Sequence, residues 1–175
     1  MKRRHIALGA VGLAAAVAGL AWQRRQSASE AAALSPGVQA LWQARFERPE
    51  GGPPLEMASW RGKPLVLNFW GSWCPPCVKE MPELARFHQA FAPRGWQVLG
   101  LAVDNPRAVR DFLAKNPVSY TIGLAGFEGS ELTRLLGNDK GGLPFTAVFD
   151  RHGALKHTKA GETSFDELAA WARAG

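Results

Sequence analysis

Cysteine is nearly missing from this chain: Cys74 and Cys77 are the only two among 175 residues. That scarcity excludes a zinc site built from two close cysteine pairs, which needs four ligands. His152 and His157 do not make up the shortfall. A finger places its histidines about 12–15 residues past the cysteines, and these two lie far beyond that. No histidine follows Cys77 directly. Val78 stands there, so covalent haem attachment is excluded. A ring closed over two intervening residues removes little entropy from the unfolded chain, so the pair would make a poor structural staple. Acidic side chains are lacking in one region: none accompanies Lys2, Arg3, Arg4, Arg24 and Arg25. Those are five of the 21 basic residues, and the remaining 16 nearly balance the 15 acidic ones, so the net charge of +6 is largely N-terminal. A nucleic-acid surface would carry its cations on the folded part, and no nucleic-acid partner is expected.

The N-terminus has an apolar run instead. Residues 6–22 carry no charge, and as a helix they would reach about 25 Å, against about 30 Å of hydrocarbon. Trp22 at the interface and a snorkelling Arg24 would let that run span the membrane. The same stretch also reads as a signal peptide, with residues 2–4 as its basic region and Ala16, Val17 and Ala18 as a cleavage site. The apolar run continues past Ala18, which favours an uncleaved anchor within residues 1–25. Either reading exports the remainder of the chain. The expected location is the periplasmic side of a bacterial inner membrane, with a soluble periplasmic form as the alternative. Residues 26–37, rich in Ala and Ser, read as a tether, and residues 38–175 as one domain.

The cysteines sit between two different patterns. Residues 64–70 (PLVLNFW) read as a buried strand, residues 71–73 as a turn, and the chain from Val78 onward as an amphipathic helix. A CxxC that opens a helix puts Cys74 beside unpaired backbone N–H groups at the positive end of the dipole. Both favour its thiolate and hence disulfide exchange.

Along the rest of the chain, residues 41–46 alternate weakly and suggest an edge strand, and residues 48–54 are loop. Met81, Leu84, His88 and Phe91 form one helical stripe, with Pro82 within the same helix. Residues 97–103 read as a second buried strand, 107–115 as a helix, 118–124 as a weaker strand and 130–136 as a helix stopped by Gly137. Strands at 145–149 and 154–159 form a hairpin. Ser164 caps a last helix with Glu167 at its third position. The expected class is α/β, a central mixed sheet of about five strands flanked by helices, similar to the thioredoxin fold.

Residues 66–82, VLNFWGSWCPPCVKEMP, resemble the signature of the TlpA/ResA group of exported, membrane-tethered thioredoxin-like thiol–disulfide oxidoreductases. The likeness extends over roughly residues 38–174. It implies a reductant of protein disulfides outside the cytoplasm, with a membrane thiol electron donor and clients often drawn from cytochrome c maturation. Glu80 lies three residues after Cys77, on the same side of the helix, and a partly buried carboxyl there can trade a proton with Cys77. Asn68 stands where ordinary thioredoxins carry a buried aspartate, and its amide cannot move a proton. The segment of Gly142, Leu143, Pro144, Phe145 and Thr146 resembles the loop whose cis-proline faces the CxxC, where Leu143 N–H and C=O would pair with a client strand.

The expected site is therefore Cys74 as nucleophile, Cys77 as resolving cysteine and Glu80 as proton partner. Trp73, Pro75, Leu143 and Pro144 form the substrate surface, and Trp70 joins Trp73 around Cys74. No cofactor and no metal are expected, and the domain is expected to act as a monomer on disulfide-bonded client proteins. An oxidase or isomerase of the same fold, or a tethered metal or haem chaperone using the CxxC, stand as alternatives.

Overall fold

A computed structural model of the chain describes residues 34–174. The expected anchor or signal segment, and the tether up to residue 33, lie outside the described residues.

The five-stranded sheet is organised around one strand. β3 (Leu65–Trp70) is buried along its whole length, so both of its faces must be covered. It pairs in parallel with β4 (Gln97–Ala102), which pairs in parallel with β5 (Thr121–Leu124). On its other edge β3 pairs antiparallel with β6 (Phe145–Phe149), and β7 (Leu155–Ala160) closes the sheet, giving the order β5-β4-β3-β6-β7. Residues of a strand alternate between faces. Val66 and Trp70 thus share one face with Asn68, and pack with α2 (Pro75–Phe91), α3 (Pro106–Lys115) and α5 (Phe165–Ala174). The core there includes Met81, Leu84, Phe87, Val109 and Leu168 together with both cysteines.

The opposite face is covered by α1 (Pro36–Gln43) and α4 (Gly129–Leu135). A Cβ at Gly37 would stand 2.0 Å from Leu135 O, so only glycine lets the two helices approach this closely. Trp42 donates from Nε1 to Gly153 O at 2.9 Å and meets Phe149 edge-on at 5.2 Å.

The edge strand expected at residues 41–46 is helix over its first half, residues 41–43. Val38, Leu41 and Trp42 are buried at the i, i+3, i+4 spacing of a helix face, and Pro36 occupies its first turn. Only Arg45–Phe46 is extended, as β1, pairing antiparallel with β2 (Leu55–Glu56). Pro36 and Gly37, read as the end of the tether, belong to α1. The strand expected from residue 118 starts at Thr121. The β6–β7 hairpin turns at residues 150–153 as expected, with Asp150 Oδ1 accepting from the His152 and Ala154 N–H groups and Gly153 at φ 83°. His157 stacks on Trp171 with ring centroids 5.1 Å apart.

Candidate active site

The chain leaves β3 at Trp70 and must reverse sharply before α2. Gly71 permits this: a Cβ there would lie 2.7 Å from Trp73 Nε1. The buried carboxylate of Asp104, just past β4, holds the turn by accepting from Ser72 N–H at 2.8 Å and Ser72 Oγ at 2.7 Å. Trp73 Nε1 donates to Val103 O at 3.3 Å. Asp104 is a site-building residue that the sequence reading missed. It falls just past the strand read at residues 97–103, and its partner stands 32 positions earlier.

Cys74 is the N-cap of α2. Pro75 and Pro76 then fill the first two helical positions, where a missing N–H costs nothing and a fixed φ suits the helix. Val78 N–H bonds Cys74 O at 3.2 Å. The first N–H that α2 can offer is therefore that of Cys77, and it points at Cys74 Sγ at 3.3 Å. The two sulfurs are joined as a disulfide. Cys77 is fully buried and Cys74 nearly so, while Trp73 beside them is 59% exposed and Pro75 is exposed. Trp70 does not share that surface. It is wholly buried and packs on Phe112 with ring centroids 5.5 Å apart, because strand alternation turns it into the core.

The loop before β6 approaches the same place. Leu143 packs against the cluster that contains both cysteines, and the Leu143–Pro144 peptide is cis. Within the described residues no hydrogen bond engages the backbone N–H or C=O of Leu143. Its neighbours are held: Gly142 O accepts from Asn138 Nδ2 at 2.8 Å and Pro144 O from Gly161 N–H at 2.8 Å.

Glu80 lies one helical turn beyond Cys77 and is 2% exposed. Its Oε1 accepts from Asn68 Nδ2 at 2.7 Å and its Oε2 from Thr163 N–H at 2.7 Å. Asn68 Nδ2 also reaches Thr146 Oγ1 at 3.1 Å, its cross-strand partner, and Thr163 Oγ1 meets that same hydroxyl at 3.2 Å. Burial pushes the Glu80 carboxyl up to about 7, outweighing the Thr163 and Asn68 hydrogen bonds that favour the ion; Glu162 adds upward and Lys159 downward. A carboxyl balanced near neutrality can both take and return a proton. Asn68 can serve either state. Its Oδ1 has no partner, and a half-turn of the amide would present that oxygen to a protonated Glu80. Thr163 carried no signal of its own in the sequence, and Thr146 stood only as the end of the proline loop segment, since each matters here through the carboxyl it helps to surround. Among the described residues, no group of three or more His, Cys, Asp or Glu could hold a metal ion.

Two sulfurs one helical turn apart, joined here and capped by a helix N-terminus, are suited to dithiol–disulfide exchange. On this sheet order, that chemistry defines a thioredoxin-fold thiol–disulfide exchange domain. The chain belongs to the Redoxin family, whose model matches residues 37–170. It is similar to the thiol-disulfide oxidoreductase ResA of Bacillus cereus, 28% identical over 119 residues, covering 67% of this chain and 66% of that protein. The match thus spans just under two thirds of that curated relative. Among solved structures, the thioredoxin-related protein of Neisseria meningitidis serogroup B superposes with a TM-score of 0.66 at 28% identity, covering 74% of this chain and 96% of that one. The MTB dsbF structure, in mixed oxidised and reduced forms, gives 0.65 at 28% identity over 77% and 96%.

Proposed function

We propose that the chain is a protein-disulfide reductase working outside the cytoplasm. The single observation that carries this reading is Glu80, buried one turn behind the resolving cysteine and poised near pH 7. In the reduced protein, the Cys74 thiolate attacks a client disulfide; one client sulfur leaves as thiolate, and Cys74 is joined to the other. Cys77 then gives its proton to the Glu80 carboxylate and attacks Cys74. The Cys74–Cys77 bond forms, and the second client sulfur leaves as thiolate while Glu80 keeps the Cys77 proton. Both client thiolates take a proton from water, so the client has gained two electrons and two protons, and a membrane dithiol donor restores Cys74 and Cys77.

Trp73, Pro75, Leu143 and Pro144 form the client surface, with the free Leu143 backbone groups offered to an extended strand. The group resemblance supports clients from cytochrome c maturation. Anchoring through residues 6–22 is supported by that apolar run and its flanking cations; among the described residues no helix is long and apolar enough to cross a membrane. The domain needs no second copy to complete its site, which supports a monomer.

Equilibration with a glutathione redox series, together with metal analysis of the reduced protein, tests the reading. A reductant holds its disulfide at a potential well below that of glutathione. A potential above it would instead make the protein an oxidase or isomerase, and stoichiometric metal would make it a chaperone.

A further inference from the structure

Glu80 can accept the Cys77 proton only as the carboxylate, so its own proton has to be able to leave for water while a client still covers Cys74. Glu80 lines a cleft of ≈390 Å³ on the flank of the domain, bounded by Lys79 and Glu83 of α2, Lys159 of β7, Glu162, Thr163 and Ser164 of the β7–α5 turn, and Glu167 of α5. None of Trp73, Cys74, Pro75 or Leu143 contributes to its walls. Two ion pairs cross its mouth: Lys79 to Glu162 at 2.7 Å, and Lys159 to Glu167. Glu83 is occupied elsewhere, accepting from Phe165 N–H at 3.0 Å and from Arg86. On the inner side the cleft ends at the Glu80 carboxyl and at Thr163, whose N–H holds it. The volume suffices for several waters, at about 30 Å³ each.

Resting on the reading of Glu80 as proton partner of Cys77, we infer that this cleft is the door through which Glu80 exchanges its proton with water, separate from the client face. Lys159 and Glu162 are then positioning residues that set the charge at that door. A protein client can seal the sulfurs from solvent without stopping the proton. The charged groups that line the cleft with Glu80 are Lys79 and Glu83 from its own helix, Lys159 from β7, Glu162 from the turn and Glu167 from α5; of these, Glu162 raises and Lys159 lowers its pKa. Tyr120, buried beyond Glu80, stays neutral because burial, and secondarily the Glu80 charge, push its hydroxyl upward.

The test is the pH dependence of the resolving step, read in stopped flow as release of a labelled client protein from Cys74. Glu162→Gln removes a negative neighbour and frees Lys79, so the rise in rate should move to lower pH by roughly half a pH unit. Lys159→Gln removes a positive neighbour and frees Glu167, and the rise should move to higher pH by roughly as much. General damage would slow both variants at every pH and could not displace them in opposite directions. Anything short of opposed displacements overturns the door. If Glu80→Gln still abolishes the rise in that case, the proton-partner reading survives alone; if Glu80→Gln leaves the profile intact, both fall.

Formate added to Glu80→Ala gives a second measurement, since the small carboxylate can enter from the flank. It should restore the resolving rate equally for a protein client and for a small aromatic disulfide. Rescue confined to the small disulfide would put the door on the client face. Should Glu80→Ala fail to fold, the absence of opposed displacements in the two charge variants still overturns the door.

Discussion

The two sides of α2 have opposite chemistry. Beside the sulfurs lie Trp73, Pro75 and Leu143, none of them ionisable, and the groups on offer are backbone ones: Cys77 N–H towards Cys74 Sγ, and the unengaged Leu143 amide. Around Glu80 lie Lys79, Glu83, Lys159, Glu162 and Glu167, an almost wholly charged cleft. The difference separates two tasks. A thiolate is served by fixed dipoles, which do not titrate. On the proposed reading, the proton is handed to a group that titrates, away from the surface that a client would cover.

The largest expected effect breaks the sulfur side alone. Cys77→Ser leaves a nucleophile without its resolving partner, so turnover should stop and clients should accumulate on Cys74, visible on non-reducing gels. Cys74→Ser should capture few or none. Equal capture by both would reverse the assigned roles.

Glu80→Gln breaks the other side. A carboxyl raised from 4.5 to about 7 binds its proton more tightly when folded, so the contribution of Glu80 to the stability of the oxidised wild type should be full below about pH 4.5 and be lost as pH climbs to about 7. The loss should be about 3 kcal/mol and level off above that range. Urea melts of Glu80→Gln should show this slope removed. In the reduced protein, loss of the carboxylate should lower the apparent thiol pKa values of the coupled pair.

Asp104→Ala asks whether the two sides are independent. It leaves Ser72 N–H and Oγ without their acceptor and should cost about 2 kcal/mol in urea melts, slowing attack by Cys74. The pH at which resolution rises should not move, because Glu80 and its partners are untouched. A shift there would join the two sides into one unit. The smallest effect on stability belongs to Trp73→Ala, at most about 0.5 kcal/mol for so exposed a side chain. It should raise KM for protein clients more than for small disulfides; equal changes would remove Trp73 from the client surface.

Legibility followed sequence distance. The buried strand, the turn and the CxxC at a helix start could be read because each depends on neighbours: an apolar run, a glycine, and two prolines at the only helical positions that accept them freely. Helix α1 was misread. Its last residues, 41–43, run into an alternating pattern that extends to 46, and the choice was made by Gly37 against Leu135 and Trp42 against Phe149, contacts about a hundred residues apart in the chain. Trp70 and Trp73 look alike in the sequence, yet one strand register buries the first while the turn exposes the second.

What the sequence determined by itself is the sulfur chemistry: two thiols at a spacing that closes one ring, at the end of a helix whose first N–H must come from Cys77. Those interactions span three residues, and helix geometry alone supplies them. What only the tertiary structure decided is the acidity of Glu80. Its partners stand 12 residues earlier at Asn68 and 83 residues later at Thr163, and the charges that tilt it come from β7 and the turn beyond. The carboxyl is raised because the packed domain removes water from it, and no local pattern records how much water a distant segment will displace.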